Sequence, residues 1–545
     1  MEPVISIQTD NLKVQAGAWW RRLLSGLAVA AVAALSIAES TPPTAAPAAG
    51  PAEKPNIVIF LVDDMGLMDT SVPFTGKVEP LNKRFHTPNM ERLATQGMVF
   101  TNAYAAPVCT PSRVSLITGM NAAHHRVTQW THVDRDTPSD YDSATTPLRP
   151  ADWNINGMSP VAGVPHTVHA TPLPQLLRDA GYFTIHVGKA HFASSGTPGS
   201  SPLNLGYIVN VSGNNAGMPQ DYYGENNYGN KDGLWSERSV QNMTEYYGTK
   251  TYLADAITSE AIKTLDYPIS QKKPFFLYFG QFAVHLPNQP NPAFVEKYIK
   301  AGLSKKEASY ASMVESMDKS LGDVMDYLEA RGVADNTLLI FMSDNGGNSI
   351  AKAKGGEMHH GNDPLREGKG SVYEGGIHEP MIVRWPGVVK PGTTTDAPVI
   401  IEDYFPSILE AATGKPTAEN IIQTVDGRSF IPVLKDAAAG DRERSLAWNY
   451  PNKWKQTDFA DIDFLAAWRQ GDWKLVYRMT SGTLELYNLK NDIGEKHDLA
   501  AKEPARVKEM AKAMSEQFRK WDAQRPTSKK TGQPVPWPDE LPQAK

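Results

Sequence analysis

The sequence predicts an α/β fold. A large central sheet, mostly parallel or mixed, is flanked by helices and followed by a smaller C-terminal α+β subdomain with a short antiparallel sheet. Three observations carry this. Residues 57–62, 274–279 and 337–342 are unbroken apolar runs, and continuous rather than alternating hydrophobicity marks strands covered on both faces. Helical stretches lie between these runs. The longest covers 304–330, where Met313, Met317, Leu321, Val324 and Leu328 recur at helical spacing. Over 445–488 the pattern changes to short strands separated by turns, and 505–521 follows as an amphipathic helix with Val507, Met510, Met514, Phe518 and Trp521 on one face.

Taken in order, Trp19-Trp20-Arg21-Arg22 precedes an apolar, alanine-rich run over 23–38 that ends in Ser36-Ile37-Ala38. This is the pattern of a secretory signal peptide over 1–38, cut near Ala38. The run is short for a membrane span, so no stable membrane anchor is expected. Residues 39–55, rich in proline and alanine, read as a disordered linker. The expected domains are a catalytic unit over 56–437, a C-terminal subdomain over 438–525 and an extended tail over 526–545. A single cysteine in 545 residues rules out an internal disulfide, and export without disulfides suggests a bacterial periplasmic or secreted protein. The net charge of −6 is mild for this length. It argues against nucleic acid as a partner and leaves room for a local basic pocket that takes an anion.

The first apolar run ends in Asp63-Asp64 and the third in Asp344-Asn345. Adjacent carboxylates at the end of a buried strand repel each other unless something cationic binds them. In open α/β sheets that edge is where ligands bind. Three carboxylates and an amide oxygen, with no cysteine or histidine among them, favour a hard cation such as Ca2+ or Mg2+ over zinc. Between those strands, Thr87-Pro88 to Gly97 reads as a helix and 98–104 as a short extended run. A helix over 114–120 places Cys109 near its N-terminus, where backbone N–H groups favour anions. A helix over 172–180 leads to a strand over 182–187 and the turn Gly188-Lys189-Ala190-His191, whose lysine and histidine can point into one cleft. Residues 204–233, rich in Gly, Asn and Tyr, read as a long binding loop. A helix covers 251–266, and His285 lies just past the strand over 274–279.

Cys109-Thr110-Pro111-Ser112-Arg113, continued by Leu116, Thr118 and Gly119, resembles the signature of the type I sulfatases of the alkaline phosphatase-like superfamily. Gly188-Lys189-Ala190-His191, His285-Leu286-Pro287 and Leu365-Arg366-Glu367-Gly368-Lys369 with Glu374-Gly375-Gly376-Ile377 share the resemblance, which runs from Pro55 to about Leu499. It implies the alkaline phosphatase-like fold and hydrolysis of a sulfate ester. It also implies that a formylglycine-generating maturation enzyme converts Cys109 to Cα-formylglycine. On the same resemblance, Asp63, Asp64, Asp344, Asn345 and an oxygen of the residue made from Cys109 hold Ca2+, with Mg2+ or Mn2+ as substitutes. A hydroxyl of the hydrated aldehyde attacks sulfur, and Lys189 and Lys369 hold the sulfate oxygens. Arg113 and His191 position and activate residue 109, and His285 protonates the leaving alcohol, with Lys369 as its rival. The chain departs from the family pattern at Ala190, where many members carry Trp, and at His378, where most carry Arg.

Polar and aromatic loops beside these motifs suit a sulfated carbohydrate. His125, His359, His360 and Asn449 are the candidate substrate contacts, with His124, Trp130 and Asn452 nearby. The insertion over 204–223 and Trp448-Asn449-Tyr450-Pro451 resemble bacterial polysaccharide-desulfating members. Two other readings stay open. One is a phosphonate monoester or phosphodiester hydrolase of the same superfamily. The other is a non-catalytic sulfated-glycan binder in which Cys109 is never converted.

Overall fold

The computed structural model describes residues 54–139, 146–230, 237–348, 362–453 and 463–542. The expected signal peptide, most of the expected linker, and the candidate contacts His359 and His360 lie outside the described residues. The central sheet has eight strands: β1 (Asn56–Val62), β2 (Met98–Phe100), β3 (Phe183–Gly188), β4 (Val209–Val211), β5 (Phe275–Gly280), β6 (Thr337–Ser343), β7 (Met381–Arg384) and β8 (Thr393–Thr395). Their order is β8-β2-β7-β6-β1-β5-β3-β4. Pairing is parallel from β6 across β1, β5 and β3 to β4, and between β8 and β2. It is antiparallel on both sides of β7. The sheet is therefore mixed and mostly parallel.

Helices cover both faces: α1 (Pro88–Gln96), α2 (Cys109–Thr118), α3 (Leu173–Asp179), α4 (Leu253–Ser270), α5 (Lys305–Ala330) and α6 (Tyr404–Thr413). In β1, Ile57, Ile59 and Leu61 join one core with α2, α3 and α6, while Val58, Phe60 and Val62 join another with α1, α4 and α5. With both faces buried, a strand has no polar side to alternate with, and this accounts for the unbroken apolar runs. The stripe on α5 (Met313, Met317, Leu321, Val324, Leu328) is core as expected. Its N-terminus is closed by a reciprocal capping box between Ser304 and Glu307. No helix among the described residues is long and apolar enough to cross a membrane.

Two elements differ from the sequence expectation. α2 begins at Cys109, not near 114. Pro111 falls in its first turn, where a proline lacks only an N–H that has no helical partner anyway. The stretch 204–233 is not all loop, because Val209–Val211 adds an edge strand to β3.

β9 (Ser445–Lys453), β10 (Asp463–Gln470), β11 (Trp473–Arg478) and β12 (Thr483–Asn488) form an antiparallel sheet in chain order. One face, with Phe464, Ala466 and Trp468, packs on Met510, Met514 and Phe518 of α7 (Pro504–Lys520). The other, with Trp448, Tyr450, Leu465 and Val476, merges into the core that contains α2. Beyond Arg525, Val535 and Trp537 pack back into the α7 core.

Candidate active site

The strand register brings the chemistry to one edge. Val62 lies opposite Ser343, Leu61 opposite Gly280, and Gly188 opposite Gly280. Asp63-Asp64, Lys189, the 281–285 turn and Asp344-Asn345 each follow one of these strand ends. Gly188 has φ +88°, and a Cβ there would sit 2.0 Å from the Gly280 carbonyl. Only glycine lets Lys189 N donate to that carbonyl at 2.8 Å. α2 lies across the same edge, its ten residues all buried, with Gly119 at φ +71° closing it against Val425 and Phe405. The Lys369 loop is tied in by Gly370 N, which donates to Pro107 O at 2.7 Å, and by Lys369 N, which donates to Gly347 O at 3.1 Å.

Three buried carboxylates each face one buried cation. Lys189 Nζ donates to both oxygens of Asp63 at 2.8 and 2.7 Å. Arg113 Nε donates to Asp344 Oδ2 at 2.8 Å, and its Nη1 to Lys189 O at 2.9 Å. Lys369 Nζ donates to Asp64 Oδ1, as does Asn345 Nδ2 at 2.9 Å. Burial pushes the Asp63 carboxyl up against the pull of Lys189. At Asp64 burial is outweighed by His285 and Lys369, which hold the carboxyl well below its usual range. For Arg113 and Lys369, burial opposes the charge, but the surrounding acidic groups, led by Asp344 and Asp64 respectively, together more than offset it and raise both groups.

Two histidines flank this set. His191, in a left-handed conformation (φ 51°), places Nε2 3.0 Å from the Thr131 carbonyl. A carbonyl only accepts, so Nε2 carries the proton and Nδ1 is the free acceptor, 3.4 Å from Cys109 Sγ and 3.3 Å from Thr110 Oγ1. His285 is the mirror case. Its Nδ1 donates to Leu286 O at 3.1 Å, leaving Nε2 to accept from Lys369 Nζ at 3.2 Å, 3.5 Å from Asp64 Oδ2. Burial pushes both imidazoles well below their ordinary value.

The donor set fits a hard divalent cation. Asp64 Oδ2 and Asn345 Oδ1 are buried oxygens with no hydrogen-bond partner, and an unpaired buried acceptor is costly unless something else satisfies it. Asp63, Asp64 and His285 offer ligand atoms that all lie within 4.8 Å of one another. Asp344 joins them through Oδ1, which accepts from Asp64 N at 3.3 Å.

Cys109, Arg113, Lys189, His191, His285, Lys369, Asp63, Asp64, Asp344 and Asn345 are thus brought together. The remaining described candidates sit in supporting contacts. His125 is buried behind α2, with Nε2 3.0 Å from Ser115 Oγ and Nδ1 accepting from Val127 N at 3.0 Å. Asn449 Nδ2 donates to Gln524 O at 2.9 Å, and Asn452 Nδ2 to Thr128 O at 3.1 Å. His124 Nδ1 lies 2.9 Å from Asp426 Oδ2. His378 stacks on Tyr104 with centroids 4.7 Å apart, and its Nδ1 lies 3.0 Å from Glu374 Oε2. Sequence reasoning did not find Thr131 or Tyr222, which touch His191 and the turn of His285. Neither carries a periodic or charge signal.

The sulfatase family model matches residues 55–415, and a model of the N-sulphoglucosamine sulphohydrolase C-terminal region matches residues 368–524. Among curated proteins, a sulfatase of Formosa agariphila is 28% identical over 86% of this chain and 89% of its own. Human N-acetylgalactosamine-6-sulfatase is 30% identical over 72% and 68%. The crystal structure of Ps i-CgsB, 27% identical, superposes with a TM-score of 0.67 over 86% of this chain and 94% of that one. The same protein in complex with k-i-k-neocarrahexaose gives a TM-score of 0.66.

Proposed function

The chain belongs to the sulfatase family and is a sulfuric ester hydrolase; from that premise we propose that it removes sulfate from a sulfated carbohydrate through a Cα-formylglycine made from Cys109. Asp63, Asp64, Asp344, Asn345 and the converted residue 109 would hold the cation, with Ca2+ favoured because these residues supply oxygen donors. The cation supplies positive charge to the ester oxygens, and the aldehyde hydrate supplies the attacking hydroxyl. Cys109 Sγ stands in for a hydroxyl oxygen of that side chain. His191 Nδ1, 3.4 Å from Sγ, accepts its proton. Lys189 and Lys369 bind sulfate oxygens as point charges where charge grows in the transition state. Arg113 holds the Asp344 carboxylate and the Lys189 carbonyl in place. The Lys369–His285 pair holds the proton that the leaving oxygen needs, with His285 on the solvent side at 12% side-chain exposure. The alcohol is a sugar, a reading supported by the likeness to human N-acetylgalactosamine-6-sulfatase and to Ps i-CgsB bound to k-i-k-neocarrahexaose. The protein is placed in the periplasm or outside the cell, after loss of residues 1–38 and conversion of Cys109 by a formylglycine-generating enzyme.

The observation that supports this reading best is the pairing of three buried carboxylates with three buried cations beside two orphaned oxygens. The pairs balance, so a divalent ion leaves the site net positive and able to draw an anionic ester into a protein of charge −6. The test is the mass of the tryptic peptide 93–113 from protein made with its maturation partner. It is read beside sulfate release from N-acetylgalactosamine 6-sulfate, glucosamine-2-N,6-O-disulfate and neocarrahexaose, with bis(4-nitrophenyl) phosphate as control. A peptide at the formylglycine mass with release from a sugar is expected. An unconverted cysteine with glycan binding retained would make the protein a binder, and faster phosphodiester turnover would make it the superfamily's other hydrolase.

A further inference from the structure

We infer that Tyr222 is a positioning residue for His285, and that the segment over 212–223 ties the two site histidines into one unit. The inference rests on the reading of the His285–Lys369 pair as the source of the leaving-group proton. His285 follows β5 in a turn whose His285 N donates to Phe282 O at 3.0 Å. Tyr222, fully buried, places its hydroxyl 2.8 Å from both the Phe282 and the His285 carbonyl oxygens, one at each end of that turn. Its own N donates to Gln289 Oε1 at 2.8 Å, and its ring stacks on Tyr252 (centroids 5.5 Å apart, planes 18° apart). Tyr252 and Tyr223 donate in turn to Gln289 O and Pro290 O, each at 2.8 Å. Tyr222 thus holds the turn itself, Tyr252 and Tyr223 hold the chain just beyond it, and the imidazole is oriented by the Leu286 carbonyl with its Nε2 aimed at Lys369 and Asp64.

The other end of the segment reaches the second histidine. Asn214 O accepts from His191 N at 3.0 Å. Gly217 lies so close that a Cβ would meet the His191 ring at 2.5 Å from Cε1. One stretch of chain, read from the sequence as a binding loop, therefore spans from the face of His191 to the turn that carries His285. A displacement of this turn by the loss of one hydroxyl should matter only when the leaving oxygen needs a proton, because a stable phenolate departs without one.

Tyr222→Phe removes that hydroxyl and keeps the ring. Kcat/KM is measured for 4-nitrophenyl sulfate and for unsubstituted phenyl sulfate on formylglycine-bearing enzyme. Tyr228→Phe serves as control, since its hydroxyl donates to Thr251 O at 3.0 Å, away from the turn of His285. The expected result for Tyr222→Phe is a loss of about tenfold or more on phenyl sulfate and less than about threefold on 4-nitrophenyl sulfate, within the range general acid catalysis supplies. The control should change both alike. 15N-histidine NMR of the unconverted Cys109 protein gives a second signal that does not need turnover. His285 should report a fixed Nδ1–H tautomer in the wild type and an averaged one in Tyr222→Phe. Equal losses on both substrates with an unchanged His285 signal would overturn the inference. If His285→Ala itself shows no leaving-group dependence, the acid reading of His285 fails, and the NMR signal alone decides the positioning role.

Discussion

Asp63, Asp64 and Asp344 are each buried against a single cation. Stripping one member from such a pair leaves an uncompensated charge in a dry site, at a cost of about 3–5 kcal/mol. These acids were legible because they stand side by side at the ends of apolar runs, a placement that solvated acids have no reason to adopt. Tyr222 was not, because a tyrosine in a Gly- and Asn-rich stretch gives no clue to which carbonyl its hydroxyl will meet. Glu402 is a different kind of buried acid. Its Oε1 accepts from Asn121 Nδ2 at 2.8 Å, and burial, with Asp403 adding to it, pushes it from 4.5 up to about 8. Between those two values the folded state keeps a proton that the unfolded state has released, so this group's contribution to stability falls as pH rises across the window. Glu402→Gln should therefore melt close to wild type at pH 5 and several degrees above it at pH 8. Parallel melting curves with no pH-dependent gap would show that Glu402 is already ionised in the fold.

Among the elements, α2 and the C-terminal sheet do the most for the site. α2 starts five residues earlier than its apolar pattern indicates, because Cys109 to Arg113 look like a turn in sequence and become a first helical turn only when packed across the sheet edge. The C-terminal sheet braces the other side. Lys474 on β11, fully buried, pairs with Glu374 Oε1 at 2.8 Å and Glu495 Oε1 at 2.9 Å. Glu374 opens the glycine turn whose Gly375 N donates to Arg366 O at 2.9 Å and whose Gly376 O accepts from Gly346 N at 3.0 Å, so the brace reaches both the Lys369 loop and the Asn345 loop. His378 sits against the same carboxylate. Lys474→Met should lower stability by about 3–5 kcal/mol, since two buried carboxylates lose their partner. Denaturant unfolding checks this, and a loss under about 1 kcal/mol would mean that Glu495 takes up a proton and relieves the site.

For the whole molecule, stability should be linked to the cation. Three carboxylates and an amide converge from two strands far apart in the chain, and an ion that binds only the folded arrangement stabilises it by mass action, by about 2.7 kcal/mol at a hundredfold excess over Kd. Treatment with EDTA should lower the melting temperature, and added Ca2+ should restore it in a concentration-dependent way. A melting temperature that ignores millimolar Ca2+ after chelation would remove the hard-cation site from this fold. The same measurement with Mg2+ and Mn2+ ranks the ions by site size and rigidity.

The sequence by itself determined the α/β class, the buried central strands, the acidic strand ends and the run around Cys109, because each is a local pattern of a few contiguous residues. Only the tertiary structure decided that Asp64 and Asp344, 280 residues apart, exchange a hydrogen bond, and that Tyr222 reaches under the turn of His285, 63 residues away. It also decided the start of α2 and the pairing of each cation with its carboxylate. Those facts depend on strand register and on which helix is laid over which edge. Both follow from burying two separate cores on the two faces of one sheet, a choice that no short stretch of the chain encodes.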